Sequence, residues 1–147
     1  LMSALGLEYN PNKNFFLFYS PVTAKFTCVN DSYLSSVGAY GVKPFDTFRA
    51  EFGSLLNAKL TFNIAENITF SSSLTAFANY ETFDRIDIFS DNSILFKVNK
   101  YVTASFTANM IYDDDIKIKR GDGSVGPDLQ YKHVLSVGIT TVIGDKQ

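Results

Sequence analysis

The sequence has little of several residue types, and each scarcity excludes a class of protein. Its only cysteine, Cys28, excludes an internal disulfide framework and is expected to fill apolar space. There is no tryptophan, which weighs against membrane girdles, although 14 Phe and 8 Tyr are present. No run of about 18 apolar residues encodes a transmembrane helix. A net charge of −2 provides no basic field, so we expect no nucleic-acid partner.

What the sequence does contain is long alternation of apolar and polar residues. Residues 100–112 are the clearest example, with Val102 and Phe106 on one face and Thr103 and Thr107 on the other. A period of two predicts a β-strand with one apolar and one polar face. Ordinary strands have about five or six residues. Strands of twice that length, repeated along a chain, are typical of barrels that cross a bilayer.

We therefore predict an all-β fold, an antiparallel up-and-down transmembrane β-barrel, as one domain over residues 1–147. About seven strands are expected, at residues 1–9, 15–29, 47–63, 67–80, 84–99, 100–112 and 128–144. In the second strand, Pro21 removes a ladder donor and predicts a bulge or kink. Phe16, Phe18 and Phe26 are assigned there to one face. The connections alternate between short and long, as the periplasmic turns and outer loops of outer-membrane barrels do.

The polar faces favour a membrane barrel over a soluble one. They combine small Ser, Thr and Asn residues with charges of both signs, which suits a narrow hydrogen-bonded lumen with the apolar face toward lipid. The charged residues expected to meet and pair there are Lys25, Arg49, Glu51, Lys59, Asp87, Asp91, Lys97 and Lys132. The alternative is a soluble ligand-binding barrel with an apolar interior and these charges in solvent.

Aromatic residues at strand ends predict two girdles. The residues expected near the outer rim are Phe48, Tyr80, Tyr112 and Tyr131, and those near the inner rim are Phe62 and Phe70. Ser90 and Asn92 conflict with this scheme, because they share a face with isoleucines and would be costly in lipid. A bulge, a strand end outside the membrane or a contact with another protein would each explain them.

An odd strand number is also unusual, because closed single-chain bacterial barrels nearly always have an even number. We expect either that strands precede Leu1 or that another chain completes the sheet. The first residue is leucine, which suggests a processed or truncated chain.

Four segments carry a family resemblance. They read "NPNKNFFLFYSPVTAKFTCVNDSYLSSVGAYGVKP" at residues 10–44, "FRAEFGSLL" at 48–56, "FKVNKYVTASFTANMIYDDDIKI" at 96–118 and "DGSVGPDLQYKHVLSVGI" at 122–139. The chain resembles the C-terminal portion of a Bacteroidetes-type outer-membrane β-barrel family catalogued as a domain of unknown function. The resemblance implies a barrel in the bacterial outer membrane and brings no active site. The chain departs from outer-membrane barrels in ending on a polar tail instead of an aromatic residue.

No residue is predicted to be catalytic, cofactor-binding or metal-binding, and we do not expect an enzyme. The only histidine, His133, is expected in an interfacial belt, on the opposite face from Ser136, which makes a hydrolase pairing poor. The acidic residues Asp113, Asp114 and Asp115, taken with Asp122 and Asp128, could collect calcium around one long outer loop, but their spacing matches no defined calcium loop, so a solvated, mobile acidic loop is expected. The sequence thus favours a structural or passive-transport barrel in contact with lipid, either alone or as a subunit of an envelope complex.

Overall fold

The computed structural model describes residues 1–82, 86–121 and 123–139, and there the chain is all-β. The strands are β1 Met2–Asn12, β2 Phe15–Cys28, β3 Phe48–Ala65, β4 Ile68–Asn79, β5 Ile86–Lys97, β6 Val102–Tyr112, β7 Ile118–Lys119, β8 Val125–Gly126 and β9 Gln130–Ile139. Seven of them form one antiparallel sheet in the order β1-β2-β3-β4-β5-β6-β9, and β7 pairs with β8 alone. No helix in these residues is long and apolar enough to span a membrane.

The seven predicted long strands are confirmed, with bounds that differ by a few residues. The predicted start at Asp84 and the predicted stretch 140–144 lie outside the described residues. The β7–β8 hairpin was not predicted. The first long connection contains a short helix, α1 Ser32–Ser36, whose Leu34 amide donates to the carboxylate of Asp31.

Short and long connections emerge at opposite ends of the sheet. The residues between β1 and β2, between β3 and β4, and between β5 and β6 form tight turns, and we call this the turn end. The connections after β2, β4 and β6 lie at the other end, the loop end. This is the asymmetry that the sequence predicted.

The two faces of the sheet differ as the alternation predicts. Apolar side chains on one face are exposed, with Phe52 58% and Phe106 40% accessible, whereas the other face buries Glu51 at 6% and Phe77 at 2%. The sheet curls toward this second, inner face. Lys25 on β2 contacts Asp87 on β5 at 2.6 Å, although strands three apart in a flat sheet are separated by about 14 Å. The apolar face is therefore the outer, convex face.

Part of β2 corrects the sequence interpretation. The predicted irregularity at Pro21 is present, as a register shift between Ser20 and Thr23 against β3. A one-residue shift exchanges the two faces of a strand. Phe16 and Phe18 therefore share the inner face with Lys59 and do not share the outer face with Phe26; Lys59 Nζ lies 5.8 Å from the centre of the Phe16 ring.

The sheet has two open edges. Within the described residues, β1 pairs only with β2 and β9 pairs only with β6, so these residues form no closed barrel. Outward apolar side chains on the edge strands are more exposed than those inside the sheet, with Leu7 79% and Leu135 75% accessible. In the part of the chain that the structure describes, each edge strand therefore has one side that no neighbouring strand covers.

Candidate functional site

Charged and polar side chains converge on the inner face at the loop end. Strand alternation directs each of them inward, and the curl of the sheet brings them together. We call this group the loop-end cluster; its members are Lys25, Arg49, Glu51, Asn79, Asp87 and Asp115. They come from β2, β3, β4, β5 and the connection after β6.

The two cations of the loop-end cluster bridge its three carboxylates. Lys25 Nζ lies 2.6 Å from Asp87 Oδ2 and 3.7 Å from Glu51 Oε2. Arg49 Nη2 lies 2.8 Å from Glu51 Oε1, and Arg49 Nη1 donates a hydrogen bond to Asp115 Oδ2 at 2.6 Å. Because isolated buried charges are costly, this mutual pairing is what allows the cluster to exist in a largely enclosed site. The predicted pairing of inward charges is confirmed for Lys25, Arg49, Glu51 and Asp87.

Two buried side chains of β4, the apolar Phe77 and the polar Asn79, contact the cluster. Phe77 is buried, and Lys25 Nζ lies 5.4 Å from its ring centre, at cation–π distance. Asn79 Nδ2 donates to Glu51 Oε1 at 2.9 Å, and Asn79 is itself buried. Together they fix the carboxylate of Glu51 and the ammonium group of Lys25 in one arrangement.

The loops pack directly on the cluster. Gly41 has a φ of +74°, and a Cβ at this position would overlap Arg49 Nη1 and the carboxylate of Asp115, so only glycine fits without displacing the ion pair. The neighbouring Tyr40 also has a positive φ, 57°. A cleft of about 920 Å³ lies between the connection after β2 and the connection after β6, lined by Leu34, Val37, Gly38, Ala39, Tyr40, Gly41, Val42, Pro44, Asp114, Asp115, Ile116, Lys117 and Pro127.

The acidic loop is not the solvated segment that the sequence predicted. Asp115 pairs with Arg49, and its side chain is only 13% exposed. Burial raises the pKa of Asp113, which accepts a hydrogen bond from the Asp115 amide at 2.9 Å. Asp122 lies outside the described residues. The loop is held on the sheet because its carboxylate completes a charge cluster whose cations come from β2 and β3.

The turn-end half of the inner face is different. It is lined by hydroxyl and amide groups around a space of about 360 Å³, and the residues concerned include Thr61, Ser71, Ser73, Asp91, Ser93 and Thr107. Asp91 accepts a hydrogen bond from the side-chain amide of Asn109, and the ammonium group of Lys59 lies over the ring of Phe16. The expected meeting of all inward charges is thus replaced by a cluster at one end and small polar groups at the other.

Ser90 and Asn92 lie on the outer face, as their parity indicates. Asn92 accepts a hydrogen bond from Ser72 at 2.8 Å and donates one to Ser90 at 3.0 Å. The pairing of β5 with β4 and β6 runs through this point without a register shift, and Asn92 lies in mid-strand. A bulge and a strand end are therefore wrong as explanations. The three side chains satisfy one another, and a contact with another protein stays a prediction.

His133 also faces outward, where its ring stacks on Phe106 with centroids 5.8 Å apart and lies 5.6 Å from Tyr131. Ser136 pairs with Ser105 on the inner face, so the predicted separation of His133 from Ser136 is confirmed. Among the residues that the structure describes, no group of three or more His, Cys, Asp or Glu side chains is arranged to hold a metal ion.

Comparisons with known proteins identify no relative of this chain. No family model matches it, and neither the curated proteins nor the solved structures contain a match. The resemblance to an outer-membrane barrel family therefore stays a prediction.

Sequence reasoning missed two members of the cluster. Asn79 lies on the polar face of a predicted strand, but nothing in its neighbourhood indicates that it meets Glu51. Asp115 lies in a loop, where alternation gives no direction at all. The signal that was available is the run of acidic residues directly after a strand of the sheet, beside inward-facing cations of other strands.

Proposed function

We propose that this chain forms part of a β-barrel in the bacterial outer membrane, with a structural or passive-transport role. The observation that carries the proposal is that the two faces are the reverse of those in a soluble protein, which buries its apolar side chains and exposes its charges. Large apolar side chains cover the outer face, and charged groups are paired on the inner face. Soluble monomers rarely expose apolar patches beyond a few hundred Å². A bilayer would cover this face, and it tolerates paired charges only on the side away from lipid.

A soluble barrel that holds a ligand in an apolar interior fits the geometry less well. Its enclosed side would need apolar residues, but the inner face here carries ion pairs at one end and hydroxyl groups at the other. In a soluble barrel, the large apolar side chains on the outer face would also be exposed to water, which is unfavourable. Supporting positions for the girdles are the pair Phe62 and Phe70 at the turn end, with ring centres 5.3 Å apart, and Phe48 at the loop end.

Two adjacent substitutions on β6 test the proposed membrane location. Phe106→Arg places a cation on the outer face, and Thr107→Arg places the same cation on the inner face. In a bilayer the first should cost about 2–4 kcal/mol and the second much less. We expect Phe106→Arg to abolish flotation of the protein with liposomes and its resistance to urea extraction, while Thr107→Arg retains both. Wild-type protein that stays monomeric in buffer without detergent, with Phe106→Arg equally soluble, would contradict the proposal.

The loop-end cluster favours the structural role over conduction. Two cations, three carboxylates and a buried phenylalanine occupy the inner space at that end, and small barrels are filled by their own side chains. Planar-bilayer recordings should therefore show little or no conductance. A steady open current from the wild-type protein would assign passive transport instead.

A further inference from the structure

The sheet is inclined as a segment of a barrel is. Following the pairing register straight across the strands leads from near the end of β1 to the beginning of β9. The residues on this line are Tyr9, Leu17, Ala58, Leu74, Ser90, Met110 and Tyr131. Successive strands of the sheet are therefore displaced along their length relative to one another. Closed barrels require this kind of stagger, with strands tilted by about 35–45°.

The open edges need a partner if the sheet lies in a bilayer, so this inference depends on the proposed function. Backbone groups on the free sides of β1 and β9 have no strand beside them within the described residues. In hydrocarbon each such group costs several kcal/mol, and open sheet edges do not occur there. The curl shown by the contact between Lys25 and Asp87 brings the sheet partly around an axis but does not join its edges.

The direction of the strands restricts what can join the edges. Seven strands alternate in direction, so β1 and β9 run the same way. A second copy inserted in the same orientation would place its β1 parallel to the β9 of the first copy. Any odd number of additional strands restores antiparallel pairing at both edges. Antiparallel pairing is the arrangement found throughout this sheet and throughout bacterial outer-membrane barrels.

We propose that the sheet is completed by an odd number of antiparallel, amphipathic β-strands from outside residues 1–147, and not by a second copy. The chemistry of the edges defines these strands. Outward positions beside Leu5, Leu7, Leu135 and Val137 require apolar residues to continue the belt, since these side chains are 70–79% exposed. Inward positions beside Glu8 and Lys132 require polar residues. The added strands should therefore alternate outward apolar and inward polar residues, as β6 does.

Photocrosslinking in the membranes of the native bacterium tests this proposal. Benzoylphenylalanine is placed singly at Leu5 and Tyr9 on β1 and at Leu135 and Ile139 on β9, and the crosslinked segments are identified by mass spectrometry. We expect each edge to crosslink to an alternating segment outside residues 1–147. The crosslinked position should move backward in that segment as the probe moves forward along the edge, which is the signature of antiparallel pairing. A probe at Phe52, inside the sheet, is the matched control and should not capture that segment.

Three results would overturn the inference. They are crosslinks between β1 and β9 of two copies, a crosslinked position that moves forward with the probe, and no capture by any of the four edge probes. Flotation and urea extraction of the same preparation separate this outcome from that of the proposed function. Antiparallel capture in a protein that does not float would refute the membrane location and leave the strand complement intact. A protein that floats with liposomes but whose edge probes capture no segment would support the membrane location and refute the added strands.

Discussion

The two halves of the inner face are built from the same strands and differ in almost every physical respect. At the loop end, Lys25, Arg49 and three carboxylates are mutually paired above the buried Phe77. At the turn end, serine and threonine side chains line an open space, and Lys59 lies over an aromatic ring. The difference teaches that alternation selects a polar face but does not determine how that face is satisfied. A charge cluster forms only where the curl and the loops enclose it.

The largest expected difference in stability is between two variants that each remove one lysine, Lys25 at the loop end or Lys59 at the turn end. Lys25→Met leaves Asp87 without its nearest cation in a largely enclosed site, so we expect a loss of about 2–3 kcal/mol in the free energy of unfolding. Lys59→Met, the matched control, removes only a partly exposed cation–π contact and should cost less than about 1 kcal/mol. Urea unfolding followed by circular dichroism in lipid measures both. Equal losses would show that the two halves are energetically alike.

A smaller effect is expected where the first long connection packs on the cluster. Gly41→Ala and Gly123→Ala both force alanine into a positive φ, but only the first also places a Cβ against Arg49 and Asp115. The shared backbone strain is about 1–2 kcal/mol. We expect Gly41→Ala to lose about 1 kcal/mol more than Gly123→Ala, because the ion pair must shift. The same unfolding experiment measures the difference, and indistinguishable variants would mean that the loop yields without disturbing the pair.

The smallest effect concerns the acidic loop beside the cluster. Since burial raises the pKa of Asp113, the folded protein binds a proton there more tightly than the unfolded chain does. The resulting penalty is absent below the unfolded pKa and complete above the folded one, so stability falls as pH rises through that range. Asp113→Asn should therefore stabilise the protein near pH 7 by less than about 1 kcal/mol, because the site is partly solvated.

The same Asp113→Asn variant provides its own control at low pH. The asparagine side chain can still accept a hydrogen bond from the Asp115 amide, so this bond is retained while the charge is lost. We expect the gain near pH 7 to vanish near pH 3, where the wild-type carboxyl is protonated in both states. A gain that is independent of pH would point to a packing effect and not to the ionisation of Asp113.

Much of the fold follows from local pattern, and the exceptions have identifiable causes. The strand that contains Phe106 and Met110 is predicted residue by residue, because alternation is a property of neighbouring positions. The placement of Phe16 and Phe18 fails, although the bulge at Pro21 was expected, because its effect on facing depends on which residue of β3 stands opposite. Asp115 fails for a related reason, since its partners lie on strands distant in sequence.

The sequence by itself determined the strands, their two unlike faces and the alternation of short and long connections, because the side-chain period and the turn residues act over a few neighbouring positions. Only the tertiary structure decided three other features. The loop-end cluster is enclosed, the side chains of β2 change faces at the bulge, and β1 and β9 run in the same direction and, within the described residues, do not join. Each of these depends on the pairing register and the curl of the whole sheet, which join residues far apart along the chain.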